Sequence, residues 1–238
     1  RGYYGFICDF NPNVTLEEDL ARRDLTINAM ALAEDGTLID PYGGQNDILE
    51  KRLRHVSPAF CEDPVRVLRV ARFAARFHHL GFRLAEETRR LMYEMVCSGE
   101  LNHLVAERVW QEWQRSLTEK NPEEFIKVLR SCDALKIVLP ELHQLFGVPN
   151  PYRYHHEIDS GVHTLMVLSQ CVGMSMDPIV RFAALVHDLG KAKSPMQNWP
   201  SHHGHEDAGV PIIQDLCTRL KIPNDYKQLA ILVSRHHL

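Results

Sequence analysis

Residues 62–77, with the sequence EDPVRVLRVARFAARF, constrain the fold of this chain more than any other segment. Asp63 and Pro64 are residue types typical of a helix N-cap and of the first helical position. On a helix with about 100° per residue, the arginines of this segment fall within an arc of about 120°, and its valine, alanine and phenylalanine side chains cover the opposite side. These arginines are Arg66, Arg69, Arg72 and Arg76. The pattern therefore predicts an amphipathic helix with one buried face and one cationic face.

The cationic face of this helix allows two interpretations. One is a solvated surface, for which lysine would serve as well as arginine. The other is a ligand-binding surface, because every cationic residue of the segment is an arginine, whose planar group suits phosphates and base edges. A carboxylate acceptor at Asp63 and a donor at Arg66, one helical turn apart, would together present an edge like that of a base. The helix alone leaves both interpretations open.

The charge of the chain is distributed unevenly. The formal net charge is -4, yet residues 51–90 contain ten lysines or arginines and four aspartates or glutamates. A basic segment in an acidic protein suits selective binding to a phosphate-rich partner. The length of 238 residues suits one large domain or two smaller ones, and a hydrophobic content of 45% is typical of a soluble globular protein.

Six cysteines are scattered along the chain without a CxxC spacing. They indicate reduced core thiols in a cytoplasmic protein rather than a disulfide framework or a zinc site. No apolar run reaches about 18 residues, so we expect no membrane span. The chain begins at Arg1 without a methionine and stops at Leu238 in an apolar stretch, so we expect that both ends are cut.

Residues 1–45 carry strand patterns, and the rest of the chain has helical character. RGYYGFICDF, LTINAMAL and TLID are predicted strands, and Thr15 with Glu18 forms a capping box that opens a short helix. Helices are then predicted near residues 45–51, 63–78, 84–97, 105–117 and 122–131. Glycine and proline at residues 147–151 mark a domain boundary.

The segment DPIVRFAALVHDLGKA, residues 177–192, predicts a second site. Asp177 and Pro178 are typical of a helix start, and Asp188 then falls in the last turn, where the helix dipole disfavours an anion. A cation beside Asp188 would remove this cost. The side chains of His187 and Asp188 diverge by about 100°, so they could converge on an ion that lies between them.

Histidines are concentrated in the same part of the chain. Nine of the fourteen follow residue 150. They are His155, His156, His163, His187, His202, His203, His205, His236 and His237. A lone buried histidine is usually a satisfied core residue, but a cluster of this density needs another explanation, such as metal binding. The group at residues 202–205 also fits a polar loop.

Three motifs follow one another in the chain: RRDLTINAMAL at residues 22–32, IDPYGG at 39–44 and CEDPVRVLRVARFAARF at 61–77. In this order they resemble the consecutive motifs of bacterial tRNA nucleotidyltransferases, the CCA-adding enzymes of the second class. The histidine-rich tail resembles the HD phosphohydrolase domain of the multifunctional members. This resemblance covers nearly the whole chain and implies a mainly α fold. It implies the remnant of a mixed α/β nucleotidyltransferase head at 1–45, an all-helical neck at 46–150 and an all-helical HD domain at 155–238.

The resemblance also implies a set of nucleotide-binding residues. They are Arg23, Asp24, Glu62, Asp63, Arg66, Arg69 and Arg72. The first two match a motif associated with the ribose and triphosphate of the incoming nucleotide. Asp63 and Arg66 match the amino-acid template that pairs with CTP and then with ATP, with Glu62 in support. The implied partners are tRNA, CTP and ATP.

Two kinds of metal site are implied by the same resemblance. Mg²⁺ would be held by a D-x-D pair of carboxylates that we expect upstream of Arg1, so we do not expect these residues alone to polymerise. In the HD domain the implied metal ligands are His163, His187 and Asp188, and the last two are also the implied catalytic residues. The metal would be Ni²⁺ or another transition metal. The activities would be those of a 2′,3′-cyclic phosphodiesterase, a 2′-nucleotidase and a phosphatase.

The leading functional hypothesis is therefore tRNA 3′-end maturation and repair, by template-independent addition of CCA, with an added phosphohydrolase. One alternative is a relative of poly(A) polymerase, against which the HD domain argues. Another is an RNA-binding HD phosphohydrolase without polymerase activity. The sequence does not define the oligomeric state.

Overall fold

A computed structural model describes residues 14–151 and 159–237. The first predicted strand, at residues 1–10, and the pair His155 and His156 lie outside these described residues. Within them, no helix combines the length and the apolar character that a bilayer span requires. The described part is mostly helical, with four strands of two residues each.

The capping box at Thr15 and Glu18 is confirmed. Helix α1, Leu16–Ala21, begins where the Thr15 hydroxyl accepts from the Glu18 N–H at 3.2 Å and the Glu18 carboxylate accepts from the Thr15 N–H at 2.8 Å. Strand β1, Ala31–Leu32, pairs in antiparallel fashion with β2, Leu38–Ile39. The reciprocal cap explains why this short helix begins at residue 16.

The predicted strand LTINAMAL is wrong over its first half. Thr26–Asn28 forms a 3₁₀ turn, because the Thr26 hydroxyl donates to the buried Asp47 carboxylate at 2.6 Å and the Thr26 N–H donates to the Arg54 carbonyl. Asp47 lies in α2, Gly44–Leu49, which closes against this turn. A polar residue that is tied by both its backbone and its side chain cannot continue a strand ladder.

The amphipathic helix predicted from residue 63 is confirmed as α3, Val65–Phe77. Its apolar residues, such as Val67 and Val70, are fully buried. The following helices are α4 Glu86–Cys97, α5 Ala106–Leu117, α6 Glu123–Ser131, α7 Leu135–Val138 and α8 Pro140–His143. Helix α3 packs against both α5 and α6. Strands β3, Arg52–Leu53, and β4, Arg83–Leu84, pair in parallel beside it.

The remaining helices are α9 Ser160–Met174, α10 Pro178–Val186, α11 His205–Arg219 and α12 Asn224–His236. They share one core with the helices that precede them. Trp110 and Trp113 of α5 contact Phe182 of α10 edge-on, with ring centroids 5.8 and 5.4 Å apart. Tyr226 of α12 packs on Trp110 at 4.9 Å. The division of the chain near residue 150 stays a prediction.

The helix predicted from Asp177, with Asp188 in its last turn, is shorter than expected. Helix α10 begins with the Asp177 cap, as predicted, but it ends at Val186, and a 3₁₀ turn follows at Leu189–Lys193. The reason is the close approach of Gly190 to α11, where a Cβ atom would lie 1.9 Å from the His205 carbonyl oxygen. This contact brings the turn after α10 and the first turn of α11 together.

The cysteines of the described residues are all free, which agrees with the prediction of reduced thiols. Cys97 is exposed, whereas burial raises the pKa of both Cys132 and Cys217 to about 11. A thiol with such a pKa is ~0.1% thiolate at pH 8. With iodoacetamide at pH 8, we expect rapid labelling of Cys97 and little labelling of Cys132 and Cys217, as mapped by mass spectrometry.

The control for this experiment is labelling in guanidinium chloride, where all three thiols should react. Labelling of Cys132 in the folded protein as fast as that of Cys97 would contradict the burial of this thiol.

Candidate nucleotide cleft and candidate metal centre

A cleft of about 590 Å³ opens between the residues that follow α1, the start of α3 and the first turn of α5. It is lined by Arg22, Arg23, Asp24, Asn28, Asp63, Arg66, Arg69, Phe73 and Arg108. Five arginines and two carboxylates dominate this lining, so the cleft suits a polyanion that also carries hydrogen-bonding groups. Five of the seven predicted nucleotide-binding residues meet here.

Asp24 fixes the position of one of these arginines. Its buried carboxylate accepts from the Leu25 N–H at 2.8 Å, from the Asn28 amide at 3.0 Å and from Arg69 Nε at 2.7 Å. These bonds leave the Asp24 carboxylate little freedom. The guanidinium group of Arg69, which is partly exposed, is therefore held at the rim of the cleft.

Asp63 is held by a residue that the sequence interpretation missed. Arg108 binds its carboxylate with both nitrogens, Nη1 to Oδ1 at 3.1 Å and Nη2 to Oδ2 at 2.6 Å. Asp63 Oδ1 also accepts from the N–H of Val65, the first residue of α3, at 3.1 Å. A signal in the sequence could have revealed Arg108, because a cation in the first turn of a helix is disfavoured by the helix dipole and calls for an acidic partner elsewhere.

Arg66 forms hydrogen bonds with backbone carbonyl groups. Its guanidinium group donates to the carbonyl oxygens of Ala59 and Arg22. The two predicted base-reading groups, Asp63 and Arg66, therefore both have partners within the protein. A base that used this edge would have to exchange with those partners.

Arg72 and Glu62 lie outside the lining of the cleft. Arg72 is 6% exposed, and its Nε donates to Glu112 of α5 at 2.6 Å, within a contact that also holds Glu119 at 3.9 Å. Glu62 forms an exposed ion pair with Arg22 at 3.2 Å. The cationic face of α3 is thus divided between the cleft and an ion-pair network with α5. Direct nucleotide contacts by Arg72 and Glu62 stay predictions.

The second cluster surrounds Asp188, which follows α10 and is 0% exposed. Its Oδ2 lies 3.2 Å from His187 Nε2 and 3.7 Å from His163 Nε2. Its Oδ1 lies 3.3 Å from His205 Nε2 and 3.4 Å from His237 Nε2. The structure thus brings together the three predicted metal ligands, and it adds two histidines from α11 and the end of α12.

Backbone carbonyls set the orientation of three of these rings. The Nδ1 atoms of His187, His205 and His237 lie 2.8, 2.8 and 2.9 Å from the carbonyl oxygens of Ala184, His202 and Ser234, respectively. Because a carbonyl oxygen accepts hydrogen bonds, each Nδ1 carries the proton. In the neutral rings, each Nε2 therefore directs a lone pair towards Asp188, as metal-binding histidines do.

This arrangement places acceptors opposite acceptors. Both oxygens of Asp188 are buried without a hydrogen bond of good geometry, and the Lys191 ammonium forms an ion pair with Oδ2 at 2.7 Å. Burial raises the pKa of Asp188, but hydrogen bonds that His187, His205 and His237 donate when their rings are protonated outweigh it and lower that pKa overall, so the carboxylate stays ionised. The same proximity raises the pKa of His237. A cation between these groups would satisfy all of them, so the residues fit a metal ion.

The ligand atoms fall into two groups that share Asp188. One is formed by His163, His187 and Asp188 and the other by Asp188, His205 and His237, and the ligand atoms in each group lie within 4.8 Å of one another. Lys191 Nζ lies 2.7 Å from Asp188 Oδ2 and 3.2 Å from the Asn150 side-chain oxygen. The ammonium group of Lys191 thus stands at the edge of the cluster, where it could contact an anion.

Known families match three parts of the chain. The Poly A polymerase head domain matches residues 8–54, and the probable RNA and SrmB-binding site of polymerase A matches residues 81–146. The HD domain matches residues 161–238. A curated relative from Legionella pneumophila (strain Paris), a multifunctional CCA protein, is 70% identical over 100% of this chain and 58% of its own length. Over its whole length, the chain is similar to a multifunctional CCA protein.

Another curated relative and one solved structure support this similarity. A multifunctional CCA protein from Vibrio cholerae serotype O1 is 60% identical over 99% of this chain and 59% of its own length. The chain is also similar to a solved structure of a tRNA-processing enzyme in its apo form I, with 25% sequence identity and a TM-score of 0.62. The match covers 94% of this chain and 55% of the chain in that structure. The predicted family and the predicted fold, a mainly α chain with part of a nucleotidyltransferase head and an HD domain, are confirmed. The chain spans somewhat more than half the length of these curated CCA proteins.

Proposed function

We propose that the protein matures and repairs tRNA 3′ ends by adding C, C and A from CTP and ATP. The observation that carries this proposal is the cleft in which an acceptor at Asp63 and a donor at Arg66 lie one helical turn apart among several arginines. A paired donor and acceptor can distinguish bases, and arginines bind triphosphates. The names of the curated relatives point to the same activity.

The charged residues of the cleft divide into a triphosphate-binding group and a base-pairing group in this proposal. Arg23 and Arg69 bind the triphosphate, and Asp24 orients Arg69. Asp63 and Arg66 pair with the base, after exchange with Arg108 and with the backbone carbonyls. Mg²⁺, held by the D-x-D carboxylates expected upstream of Arg1, would supply charge neutralisation at the phosphates. Experiments on this activity therefore use the full-length protein.

The proposal can be tested with tRNA that lacks its CCA end and labelled nucleotides. We expect the unmodified protein to add two C residues and then one A. Asp63→Ala should lower the preference for CTP and ATP over UTP and GTP by about tenfold to a hundredfold, the worth of one paired base edge. Phosphohydrolysis by the same variant should be unchanged, because the two sites use different residues.

Asp35→Ala is the matched control, because Asp35 is an exposed carboxylate in the turn between β1 and β2. Unchanged base selection in Asp63→Ala would contradict the template role. Absence of nucleotide addition by the unmodified protein, with phosphohydrolysis intact, would favour the alternative of an RNA-binding HD phosphohydrolase.

We further propose that the Asp188 cluster is a metal-dependent phosphohydrolase site. His163, His187 and Asp188 would hold the metal, with His205 and His237 as additional ligands, and Lys191 would bind the phosphate. A bound transition metal, with nickel as the leading choice, would supply Lewis-acid chemistry at the phosphate. The substrates would be 2′,3′-cyclic phosphates and 2′- or 3′-phosphates at RNA ends. The reduced cysteines of the protein suit a cytoplasmic location.

A further inference from the structure

A cavity of about 690 Å³ lies where α6 and α8 meet α9, and neither proposed activity uses it. Its lining includes Glu123, Lys127 and Arg130 of α6, together with His143 and Phe146 at the end of α8. Its volume is within the range of sites that hold a nucleotide-sized ligand. The cavity is formed jointly by helices that precede residue 150 and by the first helix of the HD match.

Arg130 and Phe146 form a cation–π pair in this cavity, which we call the Arg130–Phe146 platform. The guanidinium carbon of Arg130 lies 4.2 Å from the centroid of the Phe146 ring. Lys127 and His143, which are both exposed, lie in the same lining. Lys127 also forms an ion pair with Glu124 at 2.8 Å. Stacked arginine and aromatic groups beside a lysine are typical of surfaces that bind unpaired nucleic acid without sequence preference.

Glu123 adds a hydrogen-bond acceptor to the lining. This residue is 7% exposed, and its Oε2 is buried without a hydrogen-bond partner. Its other oxygen accepts a long bond from the Asn121 amide at 3.4 Å. A buried carboxylate oxygen without a partner is costly, so a donor is favoured at this position. The exocyclic amino group of a base is a donor of this kind.

A second groove, of about 320 Å³, shares Met166 with this cavity and His163 with the Asp188 cluster. It lies along α9 and is lined by His163, Met166, Val167, Met174 and two neighbours. Met166 lines both the groove and the larger cavity, and one helical turn, about 5 Å, separates it from His163. The side chains of Met166 and Met174 are exposed, so the groove offers adaptable apolar surface.

We propose that this continuous surface, from Arg130 and Phe146 across Met166 to His163, binds the unpaired 3′ end of an RNA and leads it to the Asp188 cluster. The inference rests on the proposed phosphohydrolase function and names its substrate class. A base stacks on the Arg130–Phe146 platform, and the terminal phosphate reaches the metal ligands past Met166. The site then prefers an RNA end to a small phosphate ester, because the small ester cannot reach the platform.

The test compares two substrates of the full-length protein loaded with Ni²⁺. One is a fluorescent oligoribonucleotide of six residues that ends in a 2′,3′-cyclic phosphate, and the other is bis(p-nitrophenyl) phosphate. We expect Arg130→Ala and Met166→Glu each to raise KM for the oligonucleotide about tenfold, the loss expected for one stacked base. Neither variant should change kcat or alter KM for the small ester.

The matched controls are Arg90→Ala and Met196→Glu, because these exposed residues lie outside both linings. Equal effects on the two substrates, or no effect on either, would overturn the proposed path. If Met166→Glu instead abolished self-association in sedimentation and left RNA binding intact, the surface would be an interface between two copies of the chain.

Failure of the proposed phosphohydrolase function would give a different result from failure of the proposed RNA-binding surface. In that case the unmodified protein would hydrolyse neither substrate. Fluorescence anisotropy of the oligonucleotide would still report binding, and weaker binding by Arg130→Ala would support the surface independently of catalysis. Unaltered anisotropy in Arg130→Ala would overturn the surface as well.

Discussion

Asp188→Asn is expected to remove metal binding and to lower phosphohydrolysis about a thousandfold or more, while nucleotide addition stays unchanged. Asp188 is shared by both groups of ligand atoms, so its loss affects every arrangement of an ion in this cluster. An amide keeps the shape of the side chain but removes the negative charge that would bind a cation between the histidines. The lost rate corresponds to several kcal/mol of transition-state stabilisation, as is typical of metal catalysis.

The measurement is metal content and Ni²⁺ binding by calorimetry, followed by turnover of the cyclic-phosphate oligonucleotide. Asp207→Asn is the matched control, because the Asp207 side chain is 88% exposed on α11. Stoichiometry in the unmodified protein distinguishes one ion from two. Full metal content in Asp188→Asn would contradict the assignment of Asp188 as a ligand.

Glu112→Ala is expected to lower the free energy of unfolding by about 3–5 kcal/mol. Glu112 and Arg72 are both buried, and their charges are joined at 2.6 Å. Removal of Glu112 leaves the Arg72 guanidinium in the core with Glu119 as its remaining acid, at 3.9 Å. Denaturant unfolding of the full-length protein, followed by circular dichroism, measures this change.

Two further variants sharpen the test. Glu94→Ala removes an exposed partner of Arg90 on α4, and a loss of at most about 1 kcal/mol is expected there. Arg72→Met combined with Glu112→Leu replaces the buried pair by apolar side chains and should recover most of the stability. A loss below about 1 kcal/mol in Glu112→Ala would contradict the buried ion pair.

Local features of this fold could be predicted from the sequence because their causes are local. The caps at Thr15 and Asp177 depend on residues within three positions, and the burial of Val67 and Val70 follows from helical periodicity. Thr26 departed from its predicted strand because its side-chain partner, Asp47, lies 21 positions away. A local sequence pattern does not predict a hydrogen bond between residues so far apart in the chain.

The candidate sites show the same limit. Arg66 and Arg72 lie at the two edges of one predicted cationic face, and the pattern does not indicate which edge is buried. Glu112, 40 positions from Arg72, buries that arginine in an ion pair. The doublet of His187 and Asp188 was visible in the sequence. The convergence of His237 on the same carboxylate depends on how α12 packs against α10, which no local pattern encodes.

Helix α5 contacts both the nucleotide cleft and the helices that lead into the Asp188 cluster. Its first turn holds Asp63 through Arg108, and its Trp110 and Trp113 support α10 and α12, the helices that lead into His187 and His237. A tilt of α5 would therefore displace residues of both the cleft and the Asp188 cluster. If nucleotide binding changes the affinity for metal by some factor, metal binding must change the affinity for nucleotide by the same factor. The nucleotide cleft and the Asp188 cluster would then be thermodynamically linked.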